Sequence, residues 1–304
     1  MSDTDIRSGS IRPGSSPFTP SANAPRWFLD NLKQPGASRY ASSNGRRVHF
    51  LAWNWEDESL PVLILVHGFS GHAHWWSFLA PFFTDRYRIA AIDLPGMGDS
   101  EAPAEYTHRC FSQAILDLLR QYHLQQVTIV GHSFGGVQTM HALAAEPQRF
   151  KHGIIVDSYV KPPSQEPIPR LQPRGKHRVT ASRQECMERF RLIPPQPHAM
   201  AELLQFVSYH SCIEGEEGWH WKFDPDIINY GELDDPSSLA TASAKVDCIY
   251  GEHSMFNADN LPRRVLEYFP NHGRLIIIPG AYHHIMLDHP LELVAAITEL
   301  LADI

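Results

Sequence analysis

The sequence predicts an α/β protein: a mostly parallel sheet flanked by helices, with a mainly helical cap inserted between two of its strands. Three observations predict it. Short runs such as "VLILV" (62–66) are continuously apolar, as strands covered on both faces are. Helical candidates at 107–123, 135–145, 259–269 and 290–302 alternate with these runs, the order that builds a parallel sheet. Between Ser158 and about Asp235 the rhythm breaks, and no buried strand is expected there.

In chain order, "MSDTDIRSGSIRPGSSPFTP" lacks the basic-then-apolar profile of a signal peptide, and its Ser, Pro and Gly content suggests a flexible tail over residues 1–25. Asn44-Gly45 between strand-like runs is a hairpin signature. After "VLILV" come the strands "RIAAID" (88–93), "VTIVG" (127–131), "GIIVD" (153–157), "VDCIY" (246–250) and "RLIII" (274–278). Pro290 opens the last helix, where a missing N–H costs nothing. The irregular stretch holds "VKPPSQEPIPRLQP", a short helix near 182–191 whose Ser182-x-x-Glu185 resembles a capping box, and "LIPPQP". A second helix near 199–211 and "GWHWKFDP" follow. Structureless loops of that length are rare in compact domains, so the stretch reads as a cap over the sheet edge. The expected organisation is a core over 26–157 and 236–304 with the cap over 158–235.

The composition of the 304 residues, 43% hydrophobic and 20% charged, suits an ordinary globular protein. Net charge is −8, from 26 basic and 34 acidic residues, with no basic run, which argues against nucleic acid or a membrane surface as partner. No apolar stretch approaches the ~20 residues of a membrane span. The four cysteines form no CxxC pair and read as reduced thiols of a cytoplasmic protein. Among eighteen histidines, His67, His72 and His74 come nearest to a cluster, but without an HExxH pattern or an acidic ligand nearby. Neither a metal nor a cofactor is expected, and oligomeric state is not legible.

"IVGHSFGG" carries the chemistry. It fits G-x-S-x-G as Gly131-His132-Ser133-Phe134-Gly135, directly after a strand and directly before a helix. A serine nucleophile must stand on a sharp turn with its Oγ exposed, and flanking glycines let backbones cross closely there. The helix that follows points N–H groups at the site, where negative charge develops.

With "VHGFSG" (66–71), "DLPGMGDS" (93–100) and "GAYHHIMLDHP" (280–290) in the right order, the chain resembles the α/β-hydrolase superfamily from about Trp27 onward. The resemblance implies Ser133 as nucleophile and His283 as its base, with His284 as the rival. It implies an oxyanion hole from the backbone N–H groups of Phe69 and Phe134. Asp93 and Asp99 would hold their turn together. His132, Trp75, Trp219 and Trp221 are candidate substrate-binding residues, although packing under a helix explains Trp75 and Trp76 equally well, and Trp219, Trp221 and Phe223 could be the cap's own small core.

A Ser–His pair needs an acid to fix the imidazole tautomer. The superfamily mostly places it in a G-x-x-D loop, which here reads Gly251-Glu252-His253-Ser254 and has no acid at its last position. Glu252 lies two residues early. Asp259 looks like a helix N-cap, and Asp247 lies inside a strand. Asp157 ends the strand after the nucleophile helix, and reactive groups of such sheets gather at the carboxyl ends of strands. Some haloalkane dehalogenases resemble this arrangement. Asp157 is therefore the expected acid and Glu252 the alternative.

Epoxide hydrolases and haloalkane dehalogenases form an alkyl-ester on an aspartate, whereas Ser133 would leave an ether that water does not readily cleave. Acyl chemistry remains. The expected activity is hydrolysis of a small carboxylic ester or related acyl compound through an acyl-enzyme. One alternative is a C–C bond hydrolase of diketone-like acids, for which Arg189 or Arg191 could hold a carboxylate. Another is a ligand sensor without efficient turnover.

Overall fold

The computed structural model describes residues 17–160, 178–231 and 236–302. Helix α1 (Arg26–Asn31) leads into a hairpin of β1 (Ala37–Ser43) and β2 (Arg46–Trp53). Its turn is Asn44-Gly45, and both residues have positive φ (48° and 74°), as the two-residue turn requires. Then come β3 (Val62–Val66), α2 (His74–Ser77), β4 (Arg88–Ile92), α3 (His108–Gln121), β5 (Val127–His132), α4 (Phe134–Ala145) and β6 (Phe150–Val156). An insertion follows, with α5 (Arg183–Glu188), α6 (Ala201–His210) and the small hairpin β7 (Cys212–Gly215) and β8 (Gly218–Trp221). The chain returns through β9 (Lys245–Gly251), α7 (Leu261–Glu267), β10 (His272–Ile278), α8 (Ile285–Asp288) and α9 (Pro290–Leu301).

Eight strands form one sheet in the order β1-β2-β4-β3-β5-β6-β9-β10. All pairings are parallel except those that β2 makes with β1 and β4. Val62–Val66 is buried along its whole length because helices cover both faces of the sheet. One apolar cluster contains Phe111, Ile115 and Leu143 with Ile64; the other contains Trp76, Phe78 and Leu293 with Leu63 and Leu65. Each such buried side chain contributes about 1.5–3 kcal/mol relative to exposure.

Register positions the chemistry. Val66 pairs with Gly131, His132 with Val156, Val156 with Ile249, and Gly251 with Ile278. The carboxyl ends of five strands therefore lie level along one sheet edge. The chain crosses from β3 to β4 on one side and from β4 to β5 on the other side of β3, so this edge includes a switch in strand order, where open α/β sheets form their clefts.

The first hairpin is clipped to the loop after β4. His49 Nδ1 donates to Asp93 Oδ2 at 2.7 Å, and His49 Nε2 lies 2.8 Å from Ser38 Oγ. Asp93 also accepts from the N–H groups of Ala73 and Asp99. Asp93 thus ties three chain segments together.

Several sequence expectations meet a difference here. Residues 1–16 and the proline-dense stretch from 161 to 177 lie outside the described residues. The rest of the expected tail has partners: the Phe18 ring lies edge-on to Phe206 at 5.1 Å, and Ala24 is buried. The insertion combines helices with a two-stranded hairpin, bridged by Thr180 to Trp219. Ser182 accepts from the Glu185 N–H, while the Glu185 carboxylate reaches the N–H of Ala181, one residue before the cap position.

Candidate active site

Ser133 stands between β5 and α4 with φ 54° and ψ −122°, a backbone conformation that costs a non-glycine residue of order 1–3 kcal/mol. The surroundings hold it there. Its N–H donates to the Val156 carbonyl (2.9 Å), and its own carbonyl accepts from Ser158 Oγ (2.7 Å). Close approach explains Gly135, since a Cβ there would come within 2.2 Å of the His67 carbonyl oxygen. The loop after β3 thereby packs on the serine, and a Cβ on Gly68 would stand 3.3 Å from the Ser133 Cβ.

His283 enters from the loop between β10 and α8. Its Nε2 lies 3.0 Å from Ser133 Oγ, and its Nδ1 lies 2.7 Å from Asp157 Oδ1. Asp157 follows β6 directly, has φ 45°, and is fully buried. An Asp tolerates this left-handed conformation better than most residues. Its carboxylate takes three donors: His283 and Ser254 Oγ (2.5 Å) on Oδ1, and the Gly251 N–H (2.8 Å) on Oδ2. Because an ionised carboxylate only accepts, His283 carries its proton on Nδ1 and presents the Nε2 lone pair to the serine.

Buried aromatic and imidazole groups surround this array. Burial, followed by the neighbouring His283 and His284, holds the His132 imidazole well below its usual range, and its Nε2 meets the His283 carbonyl at 2.9 Å. Burial pushes His284 down to about 3; His283 adds to this, against a smaller upward pull from the Pro194 and Ile193 carbonyls. Burial also raises Tyr250 well above the ordinary phenol range, with smaller contributions from Cys248 and Asp157, and its hydroxyl donates to the Ser158 carbonyl (2.7 Å). The Phe256 ring packs on His283 at 5.1 Å and stacks on Tyr159 at 5.2 Å.

Residues 63–297 match the family model described as "Alpha/beta hydrolase family". The chain belongs to the alpha/beta hydrolase family. A putative esterase/lipase of Haemophilus influenzae is 23% identical over 242 residues, spanning 79% of this chain and 83% of that relative. Epoxide hydrolase 3 of Xenopus tropicalis is 34% identical over 118 residues, but that match spans only 38% of this chain and 32% of the relative. Among solved structures, a thioesterase domain from the curacin biosynthetic pathway superposes with TM-score 0.72 at 19% identity, over 86% of this chain and 99% of that one. E-2-(Acetamidomethylene)succinate hydrolase also gives TM-score 0.72, at 16% identity, over 88% and 99%. At these identities the structural likenesses establish the fold.

The remaining sequence candidates of this alpha/beta hydrolase fall in different places. Phe69 follows Gly68 in the loop against Ser133, and Phe134 opens α4, so its N–H has no acceptor within the helix. Their rings pack edge to face at 5.4 Å, and Tyr230 of the insertion lies 5.4 Å from Phe134. Trp75 is buried, with its ring 5.4 Å from His284. Trp219 and Trp221 lie on β8 within the insertion, with Arg183 over the first (4.3 Å) and Arg189 over the second (5.6 Å). Asp247 accepts from His152 Nε2 (2.7 Å) inside the sheet, and Glu252 is half exposed with its carboxylate on the Gly280 N–H. Asp259 has φ 52° and lies two residues before α7, whose N-cap position is Asn260.

Sequence reasoning assigned no chemistry to Ser254 and did not single out Ser158 or Phe256. Each acts through a contact between distant segments, and no local pattern signals one. Two side-chain groups among the described residues have metal-like proximity: His132 with His283 and His284, and His49 with Asp93 and Asp99. In the first, both nitrogens of His283 are engaged by Ser133 and Asp157; in the second, His49 and Asp93 hydrogen-bond one another. Among the described residues no helix is long and apolar enough to cross a membrane.

Proposed function

We propose that this alpha/beta hydrolase is a serine hydrolase that cleaves a small carboxylic ester, or a related acyl compound, through an acyl-enzyme. One observation carries the reading: the unbroken chain from Ser133 Oγ through His283 to Asp157, with contacts of 3.0 and 2.7 Å, on a strained serine. His283 Nε2 takes the Ser133 proton as Oγ attacks the acyl carbon. The backbone N–H groups of Phe69 and Phe134 receive the oxyanion, a role in which one donor is typically worth ~100–1000-fold in kcat. His283 then gives its proton to the leaving alkoxide. Water repeats the sequence on the acyl-enzyme and releases the acid. No cofactor is needed for any of these steps.

The insertion acts as the cap over this site. Several contacts support that: the His284 N–H donates to Gln196 Oε1 (2.9 Å), the Met200 N–H to the Leu287 carbonyl (2.7 Å), and the Gly98 N–H to the Lys222 carbonyl (2.8 Å). The aromatic group of Phe69, Phe134 and Tyr230 favours an apolar acyl portion. C–C hydrolysis of an acid finds less support, because Arg189 lies on Trp221 and Arg191 donates to the Glu188 and Phe190 carbonyls.

The test is covalent labelling with a fluorophosphonate, followed by a series of p-nitrophenyl esters of graded acyl length. The expected result is stoichiometric labelling that Ser133→Ala abolishes and turnover of the shorter esters. Ser38→Ala is the control, since Ser38, His49 and Asp93 form a second hydrogen-bonded Ser–His–Asp array without the strained turn. Absence of labelling would favour a ligand-binding protein, and labelling retained in Ser133→Ala would move the nucleophile elsewhere.

A further inference from the structure

The buried carboxylate of Asp157 raises a geometric question. A side chain following a strand has two torsions, yet both oxygens of this one are fixed by donors. The Gly251 N–H holds Oδ2 at 2.8 Å, while Oδ1 is shared by His283 Nδ1 (2.7 Å) and Ser254 Oγ (2.5 Å). Gly251 ends β9, and Ser254 lies three residues on, in the short loop that follows. That loop is tied in turn to the histidine loop: the Glu252 N–H donates to the Ile278 carbonyl (3.0 Å), the His253 N–H to the Ala281 carbonyl (2.8 Å), and the Gly280 N–H to the Glu252 carboxylate (2.8 Å).

Ser254 has only one proton to give, and the structure decides where it goes. Its Oγ accepts from the Phe256 N–H (3.1 Å) as the N-cap of the turn Met255–Asn257. A hydroxyl that already accepts on one side, and faces a carboxylate on the other, donates to the carboxylate. The same turn places the Phe256 ring on the His283 imidazole at 5.1 Å. Loop closure, the hydroxyl rotor and the packing of the base are therefore set by one residue.

We infer that Ser254 is a positioning residue of the hydrolytic site: its hydroxyl donates to Asp157 Oδ1 and thereby sets both the orientation of the acid and its basicity toward His283. This inference rests on the serine-hydrolase reading above. Two consequences follow from elementary electrostatics. A donor on Oδ1 disperses the carboxylate charge that His283 shares, so removing it leaves a more basic carboxylate that stabilises the imidazolium more strongly. It also frees the Asp157 torsion, so Nε2 of His283 is held less well toward Ser133.

Groups facing the pair do not obscure the effect. His132 from β5 and His284 from the same loop are held neutral by burial, and Tyr250 from β9 is held protonated. Glu252 is occupied by the Gly280 N–H, and Asp157 itself is the group acted upon.

The experiment compares wild type, Ser254→Ala, Ser254→Thr and Asp157→Asn on one p-nitrophenyl ester. Rates are divided by the number of fluorophosphonate-reactive sites, so that misfolded protein does not count. In Ser254→Ala, kcat should fall about 10-fold with KM within about twofold, the size of one charge-assisted hydrogen bond expressed in part at the transition state. The acid limb of its kcat/KM profile should move up by about half a pH unit. Ser254→Thr, which keeps the hydroxyl, should recover most of the rate and the original limb. A residue that served folding alone would lower the yield of reactive sites and leave both readouts in place. A wild-type limb and kcat in Ser254→Ala, with Asp157→Asn inactive, overturns this inference and spares the reading beneath it. An active Asp157→Asn overturns this inference together with the placing of the acid, whereas labelling that survives Ser133→Ala overturns the reading beneath them.

Discussion

Replacing Asp157 by Asn is the most informative single change, because the structure determines how the amide must sit. Asn keeps the size of the side chain and tolerates the left-handed backbone (φ 45°), so the substitution alters chemistry with little strain. One end of the carboxylate faces the Gly251 N–H, a backbone donor that cannot turn away, and the other faces His283 Nδ1 and the rotatable Ser254 hydroxyl. The amide oxygen therefore takes the Gly251 side and its NH2 group points at His283. Nδ1 must then accept, which moves the imidazole proton to Nε2, against the Ser133 hydroxyl. The base is lost although every heavy atom stays near its place. An imidazole trapped in the wrong tautomer typically lowers kcat ~10⁴-fold, and at 1.36 kcal/mol per decade that is about 5.5 kcal/mol of transition-state stabilisation. The assay is steady-state hydrolysis of a p-nitrophenyl ester beside Glu252→Gln, whose half-exposed carboxylate meets the Gly280 N–H and the His253 ring and which should keep kcat within about threefold. Retention of a tenth of wild-type kcat by Asp157→Asn, or the larger loss in Glu252→Gln, would refute the assignment.

Asp247→Asn should destabilise the fold by about 1–3 kcal/mol, because it removes the buried carboxylate on which His152 Nε2, Lys245 Nζ and the Arg274 N–H converge. Urea unfolding measures this, and kcat per reactive site should not change. In Gly135→Ala the new Cβ would lie 2.2 Å from the His67 carbonyl oxygen and 2.7 Å from that of Val66, both backbone atoms, so the turn cannot relax locally. A loss of more than about 2 kcal/mol in urea and of most fluorophosphonate labelling is expected. Stability should also fall between pH 7 and pH 5. Burial depresses the pKa of His284 to about 3 and lowers those of His132, His72 and His210, so these rings take up protons only on unfolding. Their contribution is complete above pH 6.5 and is lost as pH falls toward the folded values, about 2 kcal/mol by pH 5 for His284 alone. His284→Phe should shrink the difference between the unfolding free energies from urea at the two pH values by that amount.

The sheet was legible because buried parallel strands are written as apolar runs: "VLILV" matches β3 residue for residue, and "RIAAID" (88–93) overruns β4 by one residue. Gly131 and Gly135 flank the turn that the family match and the backbone share. The short helix Arg26–Asn31 gave no comparable signal; its six residues are held by contacts such as Phe28 against Phe78 and Phe206, which no local periodicity encodes. Trp219 and Trp221 illustrate another limit. Alternating aromatics mark a strand, but whether they face a ligand or arginines such as Arg183 and Arg189, at the two ends of α5, depends on which helix folds back over them.

The position of Ser254 shows why Asp157 and its neighbour form a matched pair. β6 and β9 are adjacent and in register, so side chains at 157 and 254 meet across one hydrogen bond, and either strand end could in principle supply the carboxylate. Both cannot. Two carboxylates at that separation, buried and beside one imidazole, would compete for charge, and one would hold a proton at neutral pH. A protonated partner donates a hydrogen bond, which is what a serine hydroxyl provides without the cost of desolvating a second ionisable group. The absence of an acid at 254 is then a requirement imposed by the acid at 157. Ser254→Asp should accordingly slow turnover more than Ser254→Ala does at high pH, where both carboxylates ionise, and less at low pH, where one is protonated. A Ser254→Asp profile parallel to that of Ser254→Ala across the whole pH range would show that the two positions do not share charge.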